Sequence, residues 1–104
     1  MGLRAAEHGQ VDAQHAAGNL YSRGIDGMPK DLSKAFFWFR KGAENGNPRS
    51  QLDVGAMYGA GLGVEKNSEE AVKWFRHSTE QGNSTAQFNL GSMYARGEGS
   101  RRMR

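Results

Sequence analysis

The sequence predicts an all-α chain, an α-solenoid of antiparallel helix hairpins, and three observations predict it. The phrase Ala35, Trp38, Phe39, Arg40, Gly46 returns 36 residues later as Ala71, Trp74, Phe75, Arg76, Gly82, and self-similarity at a period of this length marks stacked helical hairpins. Apolar residues fall at helical rather than alternating spacing: Ala35, Trp38, Phe39 and Gly42 occupy i, i+3, i+4 and i+7, as do Ala71, Trp74, Phe75 and Ser78. Each such helix therefore has one core-facing stripe. Finally, Gly46 is followed by Asn47 and Pro48, a left-handed C-cap running directly into an N-cap and a first-turn proline, so adjacent hairpins are joined almost without a loop.

The copies are laid out in order. Residues 1–9 read as the tail of an earlier copy, because Ala5, Ala6, Glu7 and Gly9 correspond to Gly42, Ala43, Glu44 and Gly46. The first full repeat is 10–46, with Gln14, Gly18, Tyr21 and Gly24 on its first helix. The second, 47–82, carries Gln51, Gly55, Tyr58 and Gly61 at the same places, and the partial third, 83–100, carries Gln87, Gly91, Tyr94 and Gly97. The spacing is 37 before Gly24 and 36 from Gly27 onward, so one residue is inserted between those two glycines, in a loop. Asp31 and Asn67 precede the second helices as N-caps, and Glu69 and Glu70 complement the first-turn dipole. Gly18, Gly55 and Gly91 each sit inside a helix, where glycine costs about 1 kcal/mol relative to alanine; their recurrence predicts a neighbouring backbone too close for a side chain. On a 100° wheel Ala86, Leu90, Met93, Tyr94 and Gly97 share one side, which is read as core.

Composition narrows the function classes. No cysteine is present, so no disulfide framework and no thiolate metal site can form. The longest apolar stretch, Ala35 to Phe39, is far short of the roughly 20 residues a membrane span needs, and residues 1–8 lack the apolar core of an export signal; a soluble, cytoplasmic chain is the expectation. The formal net charge is +3, and Arg101, Arg102 and Arg104 alone account for it, leaving 11 basic against 11 acidic residues. A nucleic-acid face needs basic residues spread over the folded body. The excess here sits on a four-residue tail, 101–104, expected to be disordered, and no nucleic-acid partner is expected.

The phrase Ala86, Gln87, Phe88, Asn89, Leu90, Gly91, then Tyr94, Gly97 and Gly99, together with Ala71, Trp74 and Phe75 on the companion helix, resembles the Sel1-like repeat, a relative of the tetratricopeptide repeat. The middle copy is the most complete, with Gly61, Gly63, Val64, Ala71, Trp74 and Gly82 in place, and the resemblance covers Leu3 to Gly99. It implies a right-handed solenoid of about two full repeats with partial repeats at both ends. It also implies an adaptor or scaffold role with no cofactor and no catalytic residues. Ala17 and Val54 depart from the usual Leu before the helix glycine, and Ser100 stands where the family's loop places Val.

No HExxH, phosphate loop or nucleophile elbow is present, and Gly61 to Gly63 is explained by a hairpin turn. Among the histidines, His8, His15 and His77, His15 lies three residues after Asp12, a spacing that sets a carboxylate and an imidazole on one helical face; a hydrolase-like site centred on His15 is the enzymatic alternative. The expected function is noncatalytic: a protein or peptide bound on the concave face lined by the first helices. The row His15, Leu52 and Phe88 points away from the core stripe, with Asn19, Ala56 and Ser92 one turn later and Asp53, Asn89, Arg23 and Arg96 flanking it. Phe37, opposite the apolar stripe where the next copy has Lys73, is a second candidate contact. The helix beginning at Ser84 has no Trp-bearing companion after it, so Phe88, Leu90, Met93 and Tyr94 lack part of their expected cover, and self-association through that helix is the alternative binding mode.

Overall fold

Each joint predicted from the sequence is built from local capping chemistry. The structure, a computed structural model, describes residues 2–24, 27 and 29–97. It comprises α1 (Gly2–Arg23), α2 (Leu32–Glu44), α3 (Pro48–Ala60), α4 (Ser68–Glu80) and α5 (Ser84–Arg96). The Asp31 carboxylate accepts from the backbone N–H of Lys34 at 3.1 Å, and the Asn67 amide oxygen from that of Glu70 at 3.0 Å. Asn47 caps α3 through Arg49 and Ser50, and Asn83 caps α5 through Thr85 and Ala86. At the end of α2 the chain turns left-handed at Gly46 (φ 94°), which lets the Asn47 N–H reach back to the Gly42 carbonyl at 3.0 Å. One residue therefore both closes α2 and opens α3. Gly82 and Asn83 repeat the device between α4 and α5.

Consecutive helices pack against one another, α1 on α2, α2 on α3, α3 on α4 and α4 on α5, giving an all-α solenoid of helical hairpins. The connection 24–31 is one residue longer than its counterpart 61–67, so the inserted residue is taken up outside the helices. Two expectations are corrected. Gly9 does not end a helix: α1 runs unbroken through it. At Gly46 the glycine is followed by Asn47 and Pro48, whereas Gln10 and Val11 follow Gly9; without an N-cap side chain and a first-turn proline nothing starts a new helix there. Trp38, assigned to the core stripe, is only half-buried, while its counterpart Trp74 is buried. The tail 101–104, Gly99 and Ser100 lie outside the described residues.

The core is a single cluster threaded through the stack, with Ala35, Phe39 and Ala43 from α2, Val54, Met57 and Tyr58 from α3, Ala71, Trp74 and Phe75 from α4, and Ala86 and Met93 from α5. The mid-helix glycines act in it, but not as predicted. A Cβ at Gly18 would lie 2.5 Å from the Phe39 ring and one at Gly55 would lie 2.7 Å from the Phe75 ring. The neighbour excluding a side chain is thus chiefly an aromatic ring of the companion helix rather than a backbone, although at Gly55 the Ala71 carbonyl also stands 3.2 Å away. At Gly91 an added Cβ would meet nothing within 4 Å among the described residues. The two sites therefore predict opposite signs. Gly55→Ala gains about 1 kcal/mol of helix propensity but overpacks the core at about 1–3 kcal/mol, a net loss, whereas Gly91→Ala keeps the gain. Urea unfolding of both variants checks this; equal shifts would dissociate the glycines from the rings.

Candidate interaction surface

The repeated joints bring the first helices of successive copies side by side, and their outward residues form the candidate surface. Between α1 and the start of α3 lies a cleft of about 730 Å³. Its α1 wall is Val11, Asp12, His15, Ala16 and Asn19, and its opposite wall is the joint from Asn45 to Arg49, with Gln81 at its edge. Of the expected row, His15 and Asn19 line this cleft. Arg23, Leu52, Asp53, Ala56, Phe88, Asn89, Ser92 and Arg96 do not.

His15 is held more tightly than an open surface residue. Its Nε2 donates to the Asp53 carboxylate at 3.0 Å, and its Nδ1 accepts from the Asn19 amide at 3.3 Å. Its ring packs on Phe39, with centroids 5.4 Å apart. The partner carboxylate is Asp53 of the next copy, not Asp12 as the sequence spacing suggested. Both ring nitrogens are engaged within the chain, and the side chain is 15% exposed. Leu52, which occupies the same register, packs against the core. The wheel placed both away from the core stripe; the companion helix wraps far enough round to cover this register, as Phe39 does at His15. Phe88, in that register on α5, remains 74% exposed. Asn19, Asp53, Asn89 and Ser92 are half-buried, and Arg23, Ala56 and Arg96 are exposed. Phe37 is exposed as expected, its ring edge-on to Trp38 and under the Lys41 ammonium.

Burial pushes the Asp53 carboxyl above the usual carboxylate range, against the opposing pull of the His15 hydrogen bond and charge and of Arg49. A raised carboxyl pKa means that the folded chain holds the proton more tightly than the unfolded one. Its contribution to stability is fully present below the ordinary Asp value of about 3.9 and is lost as pH rises through the folded value. Asp53→Asn, which keeps an acceptor for His15, is expected to gain stability relative to the parent between about pH 3 and pH 7. Urea midpoints of both chains across that range test this; a constant difference would mean that burial does not perturb the carboxyl.

Residues that periodicity alone did not single out as partners tie one copy to the next. The Arg40 guanidinium donates to the Tyr58 hydroxyl at 2.7 Å and lies 5.6 Å from the Trp74 ring centroid. Arg76 repeats the bond to Tyr94 one copy later. The conserved spacing was visible as two separate recurrences, Arg40 with Arg76 and Tyr58 with Tyr94, without showing that they meet. Gln14 accepts from Asn45 and Gln51 accepts from Gln81, each holding the end of its companion helix. Among the described residues no group of three or more His, Asp or Glu side chains is placed to hold a metal ion, and no helix is long and apolar enough to cross a membrane.

Comparison with known proteins places this architecture. The Sel1 repeat model matches residues 11–47, 48–83 and 84–102. The chain is 36% identical over 58 residues to the ERAD-associated E3 ubiquitin-protein ligase component HRD3A of Arabidopsis thaliana, an alignment covering 56% of this chain but 9% of that protein. In three dimensions it superposes on a Sel1 repeat protein from Oxalobacter formigenes with a TM-score of 0.82 and 37% identity, over 86% of this chain and 37% of that one. It also superposes on a protective antigen of uropathogenic Escherichia coli with an SLR fold, with a TM-score of 0.84 and 40% identity, over 93% and 21% of the two chains. The repeat model, the helix pairs and both superpositions agree: the chain belongs to the Sel1 repeat family.

Proposed function

We propose that the chain is a noncatalytic scaffold that binds a segment of another protein along its concave face, seated in the cleft between α1 and the joint Asn45–Arg49. The observation that carries this reading is the cleft itself, with apolar walls at Val11, Ala16 and Pro48 and polar groups at Asp12, Asn19 and Arg49 on its two sides. Concave sites of this kind bind through an apolar body with a few placed polar groups, and a stack of hairpins offers them as a continuous strip. The remaining members of the row, Arg23 on α1, Leu52, Asp53 and Ala56 on α3, and Phe88, Asn89, Ser92 and Arg96 on α5, extend the strip along the stack. The Sel1 repeats of a ubiquitin-ligase component support a role in assembling proteins. The hydrolase alternative is not favoured, because both nitrogens of His15 are occupied within the chain by Asp53 and Asn19.

The test is affinity capture with the parent chain and with two charge-altered variants, Arg49→Glu at the cleft and Asn89→Glu further along the strip. Each variant is compared at equal helicity by circular dichroism. Proteins retained by the parent are expected to be lost from Arg49→Glu and reduced with Asn89→Glu. The same set held equally by all three chains would remove the concave face from the reading.

A further inference from the structure

The contact between α1 and α3 carries a hydrogen-bonded trio, His15, Asn19 and Asp53, that the repeat does not reproduce. One copy along, the same registers hold Leu52, Ala56 and Asn89, none of which titrates. In the trio the His15 Nε2–H donates to the Asp53 carboxylate at 3.0 Å, so on the neutral ring Nδ1 has only a lone pair and accepts from the Asn19 amide at 3.3 Å. The Asn19 nitrogen is thereby committed to the imidazole. Its amide oxygen has no partner among the described residues, and it is the atom that Asn19 offers to the cleft it lines.

Protonation of the ring reverses this end of the network, because an imidazolium is a donor at both nitrogens. Nε2 keeps Asp53, now as an ion pair, while Nδ1–H and the Asn19 NH2 group are left facing each other as two donors. The last torsion of an asparagine side chain is broad and roughly two-fold. Half a turn about it brings the oxygen to Nδ1–H and sends the NH2 group into the cleft, with no movement of the helix. The charged groups facing the pair are Asp12 of α1, on the same cleft wall, and Arg49 of α3, whose charge acts on Asp53. From α2 it meets the uncharged Phe39 ring.

We propose that Asn19 is a pH-dependent specificity residue of the cleft, a hydrogen-bond acceptor toward the bound segment while His15 is neutral and a donor once His15 is protonated. The consequence for binding rests on the reading that the cleft holds a segment of another protein; the turning of Asn19 does not. A segment that places a backbone N–H against Asn19 at neutral pH meets a second donor there in acid, and its affinity falls.

Nitrogen-15 NMR of the full chain between about pH 8 and pH 5, the range in which imidazoles change charge, tests the turn without any partner. The neutral His15 ring is expected to carry its proton on Nε2, and the Asn19 side-chain NH2 resonances to move along the same titration curve as the ring. In Asp53→Asn both are expected to shift together to lower pH, because the carboxylate that pairs with the charged ring is gone. In His15→Gln the Asn19 resonances are expected to stay constant. A proton on Nδ1 of the neutral ring, a ring that stays neutral to pH 5, or Asn19 resonances indifferent to the His15 titration would each overturn the proposal. Proteins retained by the parent at neutral pH are expected to be held about tenfold more weakly at pH 5.5, and equally at both by His15→Gln. Retention indifferent to pH in a chain whose Asn19 does turn would count against the cleft as the binding site and leave the turn standing.

Discussion

Trp74→Ala is expected to cost about 3–5 kcal/mol of folding stability, the range for removing a buried aromatic together with the cavity it leaves. Trp74 lies on the apolar stripe of α4 at 7% exposure, in the same core cluster as Val54, Met57 and Phe75. Its ring also faces the Arg40 guanidinium of the preceding hairpin, 5.6 Å from the centroid, and His77 on its own helix, 5.5 Å between centroids. The indole therefore joins two copies as well as filling one, and its loss weakens the interface on which a stack of nearest-neighbour contacts depends. Native domains are held by about 5–15 kcal/mol in total, so the variant should retain little folded population at 37 °C. Trp38→Ala supplies the internal comparison, because that half-buried indole has less surface to lose. Urea unfolding followed by far-ultraviolet circular dichroism reads both; equal midpoints for the two variants would contradict the difference in burial.

How much of this was legible in the sequence depends on the range of the interaction. The caps at Asp31, Asn47 and Asn67 were legible because capping involves a side chain and backbone groups two or three residues away, and the helices begin where those residues stand. Gly9 misled for the same local reason: its glycine matched the repeat, but the capping residues that make Gly46 a boundary were absent. The glycine notches were half legible. Recurrence at one register signalled close approach, yet the nature of the intruder depends on how the companion helix is rotated, which a one-dimensional period does not encode. The bonds from Arg40 to Tyr58 and from Arg76 to Tyr94 have the same character. The pairing of His15 with Asp53 was the least legible. Neither residue recurs in the other copies, so the repeat carries no trace of it, and only the lateral placement of α1 beside α3 brings the two together.

Gly63→Ala is the second large expected loss, about 2–5 kcal/mol, and the repeat supplies its own control. Gly63 sits in the turn between α3 and α4 at φ 72°, in the left-handed region that side chains other than glycine enter at about 1–2 kcal/mol. A Cβ there would also stand 2.2 Å from the carbonyl oxygen and 2.6 Å from the carbonyl carbon of Leu32, the first residue of α2. That obstacle is backbone and cannot rotate aside, so the turn must withdraw from the preceding hairpin, adding an overpacking cost of about 1–3 kcal/mol. Gly27 holds the corresponding place one copy earlier with nearly the same φ of 78°, but among the described residues nothing lies within 4 Å of a Cβ built on it. Gly27→Ala should therefore show the conformational cost alone. The difference between the two urea midpoints, converted with a common slope, isolates the contact between the turn at Gly63 and the start of α2. If the two variants unfold together, that contact contributes nothing, and the seating of one hairpin on the next must rest on the packing around Arg40, Tyr58 and Trp74.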